Sequence, residues 1–298
     1  MSYLKSRDRG TFGLALFAWL SAFTLLGLVA VVVGFLLLKG WPALQPGLLF
    51  GDTPPLQALL FRQPVFDGLF PALVGTLALV LLAMALAIPP GLAAGIYMAE
   101  YCRGRTKQVL GLLFDILAGI PSIVIGLFGL SLTIFLHRHL FPGLFPCLLI
   151  SAISLACLVL PYLIRTTQAA LEEIPLNVRL GGAALGASRL QNIFLVLLPQ
   201  ALQGIGSGIL LATGRCAEDT AVIMLTGVVA SAGIPNSLFG NYEALPFYIF
   251  YISSQYADRA ELQRGYGAAL LLLLLCALLF LASRAVRRRL TRKFLYHH

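Results

Sequence analysis

The sequence predicts an all-α protein: a polytopic bundle of six transmembrane helices. Three observations carry that prediction. Of the 298 residues, 59% are hydrophobic and 11% charged, whereas soluble domains sit near 45–50% and about 25%; the mean hydropathy is +0.90. Apolar runs long enough to cross a bilayer, which takes about 20 residues, recur six times. Lys and Arg gather at the ends of those runs, and mostly at one set of ends.

The first run, 12–38, is too long for a signal-peptide core and lacks a small-residue cleavage site, so it reads as a span. Span two covers 70–98. Span three covers 109–136, with Pro121 interrupting it, span four 146–166 and span six 265–283. The fifth run, 193–229, is too long for one straight crossing. Pro199 and the glycines Gly204, Gly206 and Gly208 allow an amphipathic entry or a break there. Two GxxxG pairs, Gly91/Gly95 and Gly204/Gly208, let helix backbones approach closely. The aromatic stretch 243–256 fits an interfacial element at the outer headgroup level. The chain thus divides into an N-terminal span with its outward loop, 1–69, a transmembrane core, 70–283, and a basic tail, 284–298.

Orientation follows from the basic residues. Lys5, Arg7, Arg9, Arg103, Arg105, Lys107, Arg165, Arg179, Arg189, Arg284, Arg287, Arg288, Arg289, Arg292 and Lys293 mark one side. Lys39, Arg62, Arg138, Arg259 and Arg264 mark the other. Positive charge accumulates inside, so both termini are expected in the cytoplasm, with the loops near 39–69, 137–145 and 230–264 outside. The net charge of +9 is spent at span ends and does not indicate a nucleic-acid partner.

Cys102, Cys147, Cys157, Cys216 and Cys276 are scattered without metal or redox spacing and read as buried, inert thiols. The histidines His137, His139, His297 and His298 fall outside the spans. No catalytic constellation or metal site emerges, and no cofactor is expected. No stretch matches GxxxxGK[ST], so the chain has no phosphate cradle for ATP of its own.

Two stretches stand apart from this apolar background. "GRCAEDTA" (214–221) sets Arg215, Glu218 and Asp219 between oily runs, where each charge costs about 2.5–3.5 kcal/mol on insertion scales. Helical spacing of three and four puts them on one face. They either line a translocation path or form a buried ion pair in which Arg215 balances an acid. Asp115 and Glu100 read as structural charges, Asp115 within reach of the inner surface and Glu100 beside Arg103. The second stretch is the loop 160–200. Pro175 can start, and Gly186 end, a short helix from about Leu176. Gly181 and Gly182 would weaken that helix by about 1 kcal/mol each. They suit either a backbone packed closely on another protein or an ordinary surface loop.

"GAALGASRLQNIFLVLLP" resembles the EAA loop of ABC importer permeases, with Gly186 and Leu198-Pro199 at the family's spacing. "GIYMAEY" (95–101), "AGIPSIVIGLFG" (118–129), "LPYLIRTT" (160–167) and "GRCAEDTA" further resemble the PstA family of phosphate-specific permeases, over about residues 70–230. The chain departs from that pattern in two places. Leu180 stands where the loop often carries glutamate, followed by Gly181 and Gly182 in place of alanines. Glu218 replaces a glycine, and the family's acid is Asp219.

The resemblance implies a type I ABC importer permease that moves phosphate, with the motor in a separate subunit. It implies as partners a homologous permease, two cytoplasmic ATP-binding subunits, an external substrate-binding protein and the lipid of a prokaryotic plasma membrane. The expected substrate path comprises Arg165, Arg215, Glu218, Asp219 and Thr220. The expected ATPase-coupling residues are Arg179, Leu180, Gly181, Gly182, Gly186 and Arg189. A guanidinium fork matches two oxygens of a tetrahedral oxyanion. A carboxylate accepts the proton that phosphate keeps and sulfate lacks. Rival readings are a permease for molybdate, tungstate or phosphonate, and an ion-coupled carrier using Glu218 or Asp219 as a proton relay.

Overall fold

The computed structural model describes residues 9–59, 65 and 67–295. Lys5, Arg7, Arg62, His297 and His298 lie outside the described residues. Thirteen α-helices follow in order among the described residues: α1 Arg9–Gly40, α2 Pro46–Phe50, α3 Pro55–Leu59, α4 Phe70–Ile96, α5 Gly104–Ala118, α6 Ser122–His139, α7 Leu148–Glu172, α8 Leu176–Ala184, α9 Arg189–Asn192, α10 Leu198–Glu218, α11 Ala221–Thr226, α12 Leu245–Gln255 and α13 Arg259–Leu295. Wider π-turns extend α4 over Tyr97–Tyr101 and join α9 to α10 over Ile193–Leu197. Among the described residues, six stretches are long and apolar enough to cross a membrane: Gly13–Ala43, Phe70–Tyr101, Ser122–His139, Leu148–Glu172, Arg189–Glu218 and Arg259–Arg289. The six expected spans are therefore present, with revised limits.

The third span begins later than expected. Residues 109–118 belong to α5, outside the crossing helix, because Ile120 precedes Pro121 and that position disfavours helical backbone. The orphaned carbonyl of Ala118 at the end of α5 accepts the hydroxyl of Tyr162 at 3.3 Å. The fifth span continues through Pro199, which follows the π-turn Ile193–Leu197, a local adjustment of the kind that lets a spanning helix tolerate proline. Its break comes instead at Asp219 and Thr220. The basic tail continues α13 as helix to Leu295, and the aromatic stretch forms α12. His137 and His139 fall in the last turn of α6, inside a crossing helix after all.

α7 is the central helix, and glycines explain how its neighbours reach it. A Cβ on Gly91 or Gly95 would stand 2.8 Å from Leu163 and 2.5 Å from Thr167. On another side of α7, Gly204 lies against Ala170 (2.5 Å for a Cβ) and Gly208 against Thr166. Both GxxxG pairs therefore close onto α7. Leu79, Val80, Ala83, Leu155, Val159, Ala212, Cys216 and Ile223 fill the apolar core between α4, α7, α10 and α11. Two glycines of "GIPSIVIGLFG" admit neighbouring helices: Gly126 faces Ala221 and Val222 of α11, and Gly129 faces Thr226 of α11 and Ser154 of α7.

α13 packs on α10, α12 and α1. α1 is exposed along almost its whole apolar length and meets α13 near its end, where Phe35 packs edge-on to Tyr266. All five cysteines are free; Cys102, Cys147 and Cys216 are buried, but Cys157 is exposed on α7, against expectation.

Candidate functional site

Arg215 sits in the last turn of α10. Its guanidinium lies 3.6 Å from a Glu218 carboxylate oxygen and 3.9 Å from Asp219. The three charges do converge, though not along one helix. α10 ends at Glu218, and Asp219 has left the helix with φ −75° and ψ 116°. The Asp219 side chain, 4% exposed, turns inward. One of its oxygens accepts the backbone N–H of Val222 at 2.9 Å. It therefore caps α11 while balancing Arg215, the arrangement an acid at a helix start favours. Thr220, half-buried, supplies the carbonyl that receives the Met224 N–H at 3.0 Å.

Arg215 and Glu218 line a cavity of about 230 Å³ with Tyr162, Leu211, Gly214 and Phe280. That volume is ample for a tetrahedral oxyanion with water. The Arg215 side chain is 43% exposed and that of Glu218 63%, so both retain hydrogen-bonding capacity toward the cavity.

Arg165 is placed differently. Its Nε donates to Asp115 at 2.8 Å, its Nη2 to the other oxygen of the same carboxylate, and its Nη1 to Gln168 at 3.0 Å. The pair continues as a polar ladder clipping α5 to α7: Gln168 donates to Glu172 at 2.8 Å, and Glu172 pairs with Lys107 at 2.7 Å. Arg165 thus spends its fork on its own chain. Its hydrogen bond holds the Asp115 carboxyl below the usual carboxylate range, against a smaller opposing effect of burial. Gln168, Glu172 and Lys107 were missed in the sequence. The four-residue spacing from Gln168 to Glu172 was the available signal.

The loop helix forms where expected, as α8. Gly186 takes φ +79° and the Ala187 N–H reaches back to the Gly182 carbonyl at 3.1 Å, a glycine-terminated helix end. The glycines divide by surroundings. Gly181 and Gly186 face open space, whereas Gly182 lies directly against the Asn192 side chain and is explained inside the chain. Gly186 is therefore needed for its backbone conformation. α8 and the residue that follows it turn apolar groups outward: Leu176 and Leu180 are exposed, and Leu185, just past the helix, is 90% exposed.

Arg179 and Arg189 do not point away from the protein. Arg179 pairs with Glu100 at 2.6 Å, and Arg189 donates to the Glu100 backbone carbonyl. Glu100 is thus partnered by Arg179, and Arg103 makes no ion pair among the described residues. Among the described residues no group of His, Cys, Asp and Glu is arranged to hold a metal.

Residues 91–292 match the family model described as "Binding-protein-dependent transport system inner membrane component". A Mycobacterium tuberculosis protein named phosphate transport system permease protein PstA 1 is 35% identical over 245 residues, covering 81% of this chain and 77% of its own. The Haemophilus influenzae PstA is 33% identical over 266 residues, covering 86% and 89%. A PstC 1 of M. tuberculosis is 27% identical over 272 residues, covering 83% and 80%. Among solved structures, a bacterial ABC transporter for alginate import superposes with a TM-score of 0.61 at 14% identity, over 95% of this chain and 99% of that one. An inward-facing MetNI methionine ABC transporter gives 0.57 at 20%, over 80% and 100%. These two likenesses concern the fold.

Proposed function

The chain belongs to the family of binding-protein-dependent transport system inner membrane components, and we propose that it is the permease subunit of an ATP-driven importer of inorganic phosphate. It works in a prokaryotic plasma membrane with both termini in the cytoplasm. Its partners are a homologous permease, two cytoplasmic ATP-binding subunits and an external binding protein. The relatives named phosphate permeases, at 33–35% identity over more than four-fifths of the chain, support the substrate.

The observation that carries the site reading is the cavity wall that sets a guanidinium and a carboxylate 3.6 Å apart. Such a pair suits a substrate that is both anion and hydrogen-bond donor. Arg215 supplies N–H donors to phosphate oxygens, and Glu218 accepts the remaining phosphate proton. Sulfate has no proton to offer and leaves the carboxylate facing an oxyanion, a polar mismatch that discriminates strongly. Asp219 and Thr220 shape the end of the path by holding α11, and Arg165 keeps α5 beside it. At the cytoplasmic face, the exposed leucines of α8 with Gly181 form the surface that docks on the ATPase; Leu180 makes an apolar contact there. Exposed apolar groups on a polar end mark protein contact.

The test is uptake of radiolabelled phosphate with competing sulfate, alongside membrane abundance. Arg215→Gln should abolish most uptake at normal abundance. Glu218→Gln should erode discrimination against sulfate more than total flux. Molybdate or phosphonate uptake exceeding that of phosphate would replace the substrate, and wild-type selectivity in both variants would remove the cavity from the path.

A further inference from the structure

We propose that Glu100, together with Tyr101, is the positioning residue that locks the coupling helix to the transmembrane core, so that motion of α8 is delivered to α4. The proposal rests on the reading of α8 as the ATPase-docking element.

Two arginines from opposite ends of the loop converge on one residue of the "YMAEY" π-turn. The Arg179 guanidinium meets the Glu100 carboxylate at 2.6 Å, with the two side chains only 22% and 11% exposed. Its Nη2 also donates to the Leu171 carbonyl in the last turn of α7, and its Nε to the Ile174 carbonyl just beyond that helix at 3.2 Å. Carbonyls at a helix end carry partial negative charge and favour a cation there. Arg189 donates to the Glu100 carbonyl and stacks on Tyr101, its guanidinium carbon 4.3 Å from the ring centroid. Asn192 closes the loop upon itself by donating to the Arg179 carbonyl at 3.0 Å.

Every one of these contacts is made by a residue of 97–101 or of the loop, and together they tie α4, α7, α8 and α9 at one point. The π-turn matters because its extra residue per turn resets which side chains face the loop; such turns concentrate at functional positions. Beyond the lock, α4 is sealed to α7 through Gly91 and Gly95. At its far end the Thr76 hydroxyl accepts the Leu245 N–H of α12 at 2.9 Å. A displacement of α8 thus has a stiff route to the opposite end of the molecule. Nε, Nη1 and Nη2 of Arg179 each donate within the chain, which gives the residue an internal role.

The experiment uses the whole transporter in proteoliposomes, measuring phosphate taken up per ATP hydrolysed and the amount of ATPase that co-purifies. Glu100→Gln and Arg179→Gln should keep ATPase bound but lower uptake per ATP by about five- to a hundredfold, the usual span of coupling between sites. The double variant should be no worse than either single one. Spin labels at Asn177→Cys and Arg105→Cys, in a Cys157→Ser background, should give one narrow separation with Glu100 present and a broad one with Glu100→Gln. An unchanged separation or an unchanged uptake-per-ATP ratio in Glu100→Gln overturns the lock. Should Glu100→Gln fail to accumulate, Tyr101→Leu, which removes only the stacking contact, must give a smaller loss of the same ratio, and none there is equally fatal. Gly181→Trp reads the underlying assumption separately. If ATPase still binds and drives uptake in that variant, α8 is not the docking helix; if Gly181→Trp uncouples and Glu100→Gln does not, only the lock fails.

Discussion

Asp219 faces Arg215 with one oxygen, at 3.9 Å, and caps α11 with the other, accepting the Val222 N–H at 2.9 Å. One carboxylate thereby does two jobs at the point where the fifth span breaks. Its charge balances the guanidinium, and its hydrogen-bonding geometry starts the next helix. The two jobs can be separated by substitution.

Asn caps a helix as well as Asp does, so Asp219→Asn should preserve membrane abundance. Asp219→Ala should lose about 0.5–2 kcal/mol from the cap alone, seen as lower abundance and a lower melting temperature in detergent. Uptake lost in Asp219→Asn at full abundance would then report charge. Equal abundance in both variants would mean that the cap is dispensable.

The Arg165–Asp115 pair makes a pH prediction. The Asp115 pKa lies below its ordinary 3.8 in the folded protein. The stabilisation is therefore complete above that ordinary value and is lost only as pH falls through the lower folded one. The difference in melting temperature between wild type and Asp115→Asn should stay constant from about pH 8 to about pH 5 and shrink only in stronger acid. It should be small, because both side chains are well exposed. A difference that fades between pH 7 and pH 5 would contradict the pairing.

Glycine substitutions should sort by surroundings. Gly95→Leu drives a side chain into Thr167 and should cost at least about 1–3 kcal/mol, read as failure to accumulate. Gly181→Ala meets open space in a helix and should stabilise the isolated subunit by about 0.5–1 kcal/mol. At Gly186, φ +79° predicts that Asn is tolerated and Val is not. Membrane abundance of the four variants checks the order.

Topology is testable with reporter fusions. A reporter after Gly40 or within 231–262 should behave as external, and one after Arg105 or Leu180 as cytoplasmic. Labelling of residues 175–190 from outside the intact cell would overturn the six-span orientation.

The six spans, the helix at 176–184 and the convergence of Arg215, Glu218 and Asp219 were legible in the linear chain, because each rests on local pattern: apolar length, Pro and Gly punctuation, and spacing of three and four residues. The family resemblance was legible for the same reason, in short contiguous motifs. What the chain alone left open were partners distant in sequence. Asp115 reaches Arg165 across 50 residues, and Glu100 reaches Arg179 across 79, past the nearby Arg103 that the sequence offered. The break in the fifth span is another case. Its glycines pointed to 204–208, yet Gly204 and Gly208 close onto α7 and Gly206 onto Arg287 of α13, and the helix ends where Asp219 finds a backbone N–H to cap. A charge or a glycine announces a need for a partner or for space. Which partner or neighbour meets that need is decided by how the helices pack, and packing brings together residues whose separation along the chain carries no signal.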